Sequence, residues 1–119
     1  MIKKRLKPIL PTLKERKRYL AYNIISKKPI SSFKHVEEQI NAKSLEYLGQ
    51  LGYAEAGISV LKSRFKPKLQ KGIIRVNNNH TDNLKAALTF IRNINSKEAI
   101  VKSLGVSGMI KKAEERYLR

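Results

Sequence analysis

Residues 58–77, ISVLKSRFKPKLQKGIIRVN, decide how this chain folds. In the first eight of them, Leu61 and Phe65 fall on one side of an extended chain and Lys62 and Arg64 on the other, the two-residue alternation of a half-buried strand. Pro67 has no amide hydrogen for a ladder and stops the run. KPKLQ, residues 66–70, has the length of a hairpin connection, and GIIRVN then resumes a β-branched stretch of strand length. The two strands are predicted to pair antiparallel.

Upstream, YLAYNII from Tyr19 is a short apolar and aromatic run closed by Lys27-Lys28-Pro29, read as a buried strand. Between it and the hairpin, Ser31 and Ser32 offer N-cap hydroxyls. Phe33, Val36, Ile40, Tyr47, Leu48 and Leu51 then recur at helical spacing, which predicts a long amphipathic helix ending by Gly49 or Gly52. Downstream of NNNH, Thr81 can cap a second helix lined by Leu84, Ala87, Leu88, Ile91 and Ile94 and ending near Asn95. EAIVKSL, residues 98–104, reads as a fourth strand. Gly105 and Gly108 break the chain before a short terminal helix in MIKKAEERYL. The order β-α-β-β-α-β is that of an α+β, ferredoxin-like split β-α-β: one antiparallel sheet, two helices on a face, and an extra C-terminal helix that can cover the other. The expected organisation is a basic N-terminal arm over 1–18 and one domain over 19–119.

Charge sets the class of partner. Twenty-six Lys and Arg oppose nine Asp and Glu, a formal net charge of +17 in 119 residues, well beyond what solubility needs, and a polyanion is the natural complement. The sequence has no cysteine, which excludes a disulfide framework and a thiolate metal site and fits a reducing compartment. The first twenty residues carry no apolar stretch long enough for a secretory signal, and no later run approaches a membrane span, so a cytoplasmic location is expected. Asn79-His80-Thr81 matches a glycosylation pattern that such a protein would never present to the secretory machinery.

Side-chain catalysis finds little material. A two-metal nuclease needs several convergent carboxylates, whereas the chain has one aspartate, Asp82, placed where a helix begins and where its charge suits the helix dipole. Glu37-Glu38 and Glu114-Glu115 are adjacent on predicted helices, where neighbours diverge by roughly 100° and do not chelate well. His35 and His80 have no companion ligands at metal spacing, and GYAEAG is not a phosphate-binding loop. No catalytic residue, metal ligand or protein-bound cofactor is expected.

The basic residues, in contrast, are organised. Lys62, Arg64, Lys66 and Lys68 alternate along the hairpin's first strand and turn, Lys71 and Arg75 follow on its second, and no acid stands between residues 56 and 81. With Lys14, Arg16, Lys17 and Arg18 of the arm, these are the candidate RNA-binding residues. A solvated face that resists edge aggregation is the bland alternative for the hairpin. KGIIRVNN keeps Lys71, Gly72 and Val76 of the RNA-recognition-motif signature but has Ile73 and Arg75 where stacking aromatics belong, so contact is expected with phosphates.

LPTLKERKRYLAYNII, LGYAEAG, KGIIRVNNNH and the Ala86-Ala87-Leu88 helix core, in this order, resemble the ribonuclease P protein component 2 family over nearly the whole chain. The resemblance implies a ferredoxin-like subunit of the ribonucleoprotein that removes the 5′ leader from precursor tRNA, with hydrolysis performed by a Mg²⁺-dependent RNA. It also implies the partners: ribonuclease P RNA, precursor tRNA and the TIM-barrel-like ribonuclease P protein component 3, the last in a two-by-two complex. Met109, Ile110, Tyr117 and Leu118 of the terminal helix are apolar enough to serve either the core or that companion. Small size, high charge and a basic arm fit a ribosomal or ribosome-associated protein equally, and that alternative stays open on composition alone.

Overall fold

The computed structural model describes residues 16–119; Lys14 and the remainder of 1–15 lie outside them. Its elements are β1 (Lys17–Ser26), α1 (Phe33–Ala56), β2 (Ser59–Lys66), β3 (Lys71–Asn77), a 3₁₀ turn (Asn78–His80), α2 (Thr81–Leu88), β4 (Asn93–Ile94), β5 (Lys97–Ser107) and α3 (Ile110–Tyr117). The strands pair antiparallel throughout, in the order β2-β3-β1-β5-β4. Four long strands with two helices on a face and a third helix on the other give the ferredoxin-like arrangement.

The pleat sorts side chains between two apolar layers. Leu20, Tyr22 and Ile24 of β1, with Ile74 and Val76 of β3, face α1 and α2 and meet Val36, Ile40, Leu84 and Leu88 there. On the other side Ala21 and Ile73 meet Ala113 and Leu118, with Tyr19, Leu61, Leu104, Ile110 and Tyr117 packed around them. The terminal helix thus closes the middle of the second face. Two glycines make room for aromatic rings: a Cβ on Gly72 would collide with the hydroxyl of Tyr22 on the neighbouring strand, and one on Gly105 would fall inside the ring of Tyr117. The hydroxyl of Tyr22 is fully buried with no hydrogen-bond partner, and burial pushes its pKa well above the ordinary phenol value.

Several boundaries differ from those expected. β1 starts at Lys17, so Lys17 and Arg18, assigned to the arm by their charge, belong to the sheet and pair with Asn77 and Val76. The long helix is interrupted at Gly49, whose backbone is not helical (φ 78°, ψ 172°), as expected; a second helical segment then runs on to Ala56, beyond the expected end, and closes on Gly57 in the left-handed region. Ser32 holds the N-cap position, yet its hydroxyl bonds His35 Nδ1 at 2.7 Å and makes no cap. An irregularity in pairing between Leu61 and Lys66 sends Leu61 to the α3 face and Phe65 to the opposite one, against the plain alternation. α2 ends at Leu88; Ile91 and Ile94 are buried as predicted, but in the turns beyond it and in β4. β5 continues through Gly105, with an irregularity beside it where Leu104 has no register partner on β1.

Candidate nucleic-acid interface

Most of the basic side chains singled out from the sequence stand at opposite ends of β1 and β3, with Lys62 between them on β2; Lys111, Lys112 and Arg116 are exposed on α3. At the end where β1 begins and β3 finishes stand Arg16, Lys17, Arg18 and Arg75. Arg75 is exposed and registers with Tyr19 of β1 and Ser59 of β2. The main-chain amide of Asn78 donates to the carbonyl of Arg16 at 2.8 Å, carrying the pairing of these strands one residue past the ladder. The ammonium of Lys17 donates to Oδ1 of Asn77, whose Nδ2 in turn donates to the carbonyl of Glu55 at 2.6 Å. Nε of Arg18 donates to Oδ1 of Asn78 at 2.8 Å. Two asparagines therefore fix two neighbouring cations.

At the other end, Lys66 closes β2 and Lys68 stands in the β2–β3 turn, both exposed, and Lys71 opens β3. Nζ of Lys71 donates to the carbonyl of Arg119 at 3.2 Å. Lys102 of β5 is exposed at this end as well, its register partner Asn23 being also that of Lys71. A cleft lined by Lys27, Arg92, Ser26, Ile91 and Ala99 opens beside it, far from Arg18. Since Asn77 stands six residues beyond Lys71 on β3 and each step rises about 3.3 Å, the two ends lie about 20 Å apart. The continuous stripe expected along the hairpin does not form. Lys62 is exposed, but Arg64 turns toward the terminal helix and pairs with Glu114 at 3.0 Å.

The terminal-helix residues divide. Leu118 is buried, Ile110 and Tyr117 are half-buried against the second apolar layer, and Met109 is 54% exposed. Other apolar side chains are exposed: Ile25 beside Ile100 on adjacent strands, and, against the expected apolar stripe of α1, Leu51 and Tyr47, the latter against Phe90 with ring centroids 5.5 Å apart. Asn77 and Asn78 were also missed as functional candidates. The signal for them is the run Asn77-Asn78-Asn79 directly after Arg75-Val76, short amides able to hold cations at a strand end. Where an RNA-recognition motif stacks bases, Ile73 is fully buried beneath α3. Among the described residues no three of His, Asp and Glu gather, and no helix is long and apolar enough to cross a membrane.

These features define a ferredoxin-like protein whose sheet packs two helices on one face and a third across the middle of the other, with several of its cations at the strand ends. The chain belongs to the Rpp14/Pop5 family, whose model matches residues 18–118. It is 41% identical over 108 residues to ribonuclease P protein component 2 of Thermococcus gammatolerans, covering 91% of this chain and 88% of that one. It is 39% identical over 114 residues to the protein of the same name from Pyrococcus furiosus, covering 96% and 92%. A chain in the cryo-EM structure of yeast ribonuclease MRP superposes with a TM-score of 0.59 over 87% of this chain and 86% of that one; at 14% identity this shows the shared fold. The resemblance read from the sequence is thereby borne out.

Proposed function

We propose that the protein is a subunit of ribonuclease P that binds the enzyme's RNA and supports removal of the 5′ leader from precursor tRNA. The observation that carries this reading is the group at the start of β1, where Lys17 and Arg18 are held by Asn77 and Asn78 beside Arg16, in a chain whose relatives bear the name ribonuclease P protein component 2. Cations already fixed in place lose little rotamer freedom on meeting a phosphate. The protein acts without chemistry of its own: its cations offset repulsion between crowded phosphates, stabilise the compact RNA and lower that RNA's demand for Mg²⁺, which the RNA and not the protein employs. Lys14, by its place in the sequence, Lys62, Lys66, Lys68, Lys71 and Arg75 complete the set of contacts. Arg64 takes a lesser part because Glu114 already neutralises it. Ribonuclease P protein component 3 is the protein partner, in a two-by-two assembly, and Met109 is the terminal-helix residue exposed enough to meet it. The site of action is the cytoplasm. The relatives' names favour this over a ribosomal role.

The test is reconstitution of leader cleavage from the RNA, component 3 and this protein, scored by the Mg²⁺ concentration at half-maximal rate. Omitting the protein, or replacing Arg16, Lys17 and Arg18 together by alanine, is expected to raise that concentration. Binding to the RNA should show a slope of about −3.5 to −4.5 in log affinity against log salt if about five phosphates are neutralised. An unchanged Mg²⁺ requirement or a flat salt response rejects the reading.

A further inference from the structure

Within the group at the start of β1, Arg18 is set apart by how it is held. Its Nε donates to Oδ1 of Asn78 at 2.8 Å, and its Nη1 occupies the space beside Gly108, where a Cβ would collide with it. Asn78 is itself anchored, its amide on the carbonyl of Arg16 at 2.8 Å, and it follows Asn77, which is tied to Lys17 and to the carbonyl of Glu55. Arg18 makes no ion pair among the described residues. Hydrogen bonding through Nε restrains the guanidinium and leaves Nη2, with the open side of Nη1, for another ligand. A planar fork of this kind matches the paired oxygens of a phosphate. Arg16 and Lys17 add positive potential beside it, which favours an anion over the edge of a neutral base.

The geometry points to Arg18 as a dedicated site for one backbone phosphate of the bound RNA, with Asn78 and Gly108 as its positioning residues. This rests on the RNA-binding reading above and narrows it to one side chain. Gly108 serves by its lack of a side chain: any Cβ there pushes the guanidinium out of its notch. Asn78 serves by selecting the orientation of the fork. Neither residue touches the RNA, and both act through Arg18.

The experiment measures affinity of the full chain for ribonuclease P RNA across salt concentrations, with thermal melts, for the wild type, Arg18→Ala, Gly108→Ala and the double variant. Arg18→Ala should weaken binding about 10-fold near physiological salt and make the salt slope shallower by about one. Gly108→Ala should do much the same with a melting temperature close to wild type, because the group it displaces is the flexible end of a partly exposed side chain. In the Arg18→Ala background the same change should cost nothing further, since the notch is then vacant. Asn78→Ala should weaken binding while leaving the slope unaltered. The inference is overturned if Gly108→Ala binds like the wild type or if the two losses add in the double variant. It is overturned also if the loss appears with only one RNA sequence, which would make a base edge the ligand. Should the wild type itself fail to bind with salt dependence, the broader reading falls; intact binding without coupling between Arg18 and Gly108 sinks this inference alone.

Discussion

Replacing Tyr22 with phenylalanine removes one oxygen from the centre of the sheet. That oxygen is fully buried, finds no partner, and lies against the Cα of Gly72 on the neighbouring strand. An unsatisfied buried hydroxyl costs about 1–3 kcal/mol, while the ring that contributes the apolar contacts stays in Tyr22→Phe. Subtracting a few tenths for the void left by one atom, the variant should be about 1 kcal/mol more stable at pH 7, or roughly 4–8 °C higher in melting temperature for a domain of this size. Alkali supplies an independent check. Burial raises the pKa of Tyr22 in the native state, so above pH 10 the unfolded chain releases this proton while the folded chain retains it. The unfolded state then binds fewer protons, and stability declines as pH rises, by up to about 1.4 kcal/mol per unit. Phenylalanine has no such proton. The gap between variant and wild type should therefore widen from about 1 kcal/mol at pH 7 to about 2.4 kcal/mol at pH 11, other titrations cancelling in the difference. Urea unfolding at pH 7, 9, 10 and 11 measures it. A variant less stable than the wild type at pH 7, or a gap that stays constant from pH 9 to 11, would refute the reasoning.

Asn95 and Ser96, both at positive φ (53° and 63°), join the paired residues Ile94 and Lys97 in a two-residue hairpin loop. Ser96→Gly relieves that strain and should stabilise the protein by about 0.5–1 kcal/mol in urea titrations. Gly105→Ala forces Tyr117 off the sheet and should cost about 1–3 kcal/mol; hydrogen exchange in α3 should rise more than in β1. Because both partners of the Arg64–Glu114 pair are about one-third exposed, Glu114→Gln should cost at most about 1 kcal/mol, less at high salt. The same change frees Arg64 and should leave RNA affinity equal or slightly higher in a filter-binding assay.

What could be foreseen was set by local pattern. Ile73, Ile74 and Val76 announce a strand through their side chains alone, and Lys66 to Gln70 announce the turn, so the hairpin and the order of elements were legible. The deviations arise where a distant residue decides. Gly105 signals a break in isolation, but the strand only shifts register beside it and continues, and the ring of Tyr117, twelve positions later, fills the space a side chain would need. Ile94 fits a helical stripe and a two-residue strand equally, because both bury it. Lys17 and Arg18 resemble an unstructured arm by charge and become strand through their pairing with Val76 and Asn77. The site was half legible for the same reason. Charge identifies which side chains suit an anion, but the bulge that turns Arg64 toward Glu114 and the amides that secure Lys17 and Arg18 come from pairing across the sheet.

The helix laid over Ile73 has a consequence for how the two molecules can change together. A protein that reads nucleobases on an open sheet ties its partner's sequence to its own, letter by letter. Here the middle of that face is taken by α3, and the candidate cations at the two ends of β3 stand about 20 Å apart. Under the proposed RNA-binding role, such a spacing would be matched by phosphates of a folded RNA, and nucleotides between them would be free to drift as long as the distance is kept.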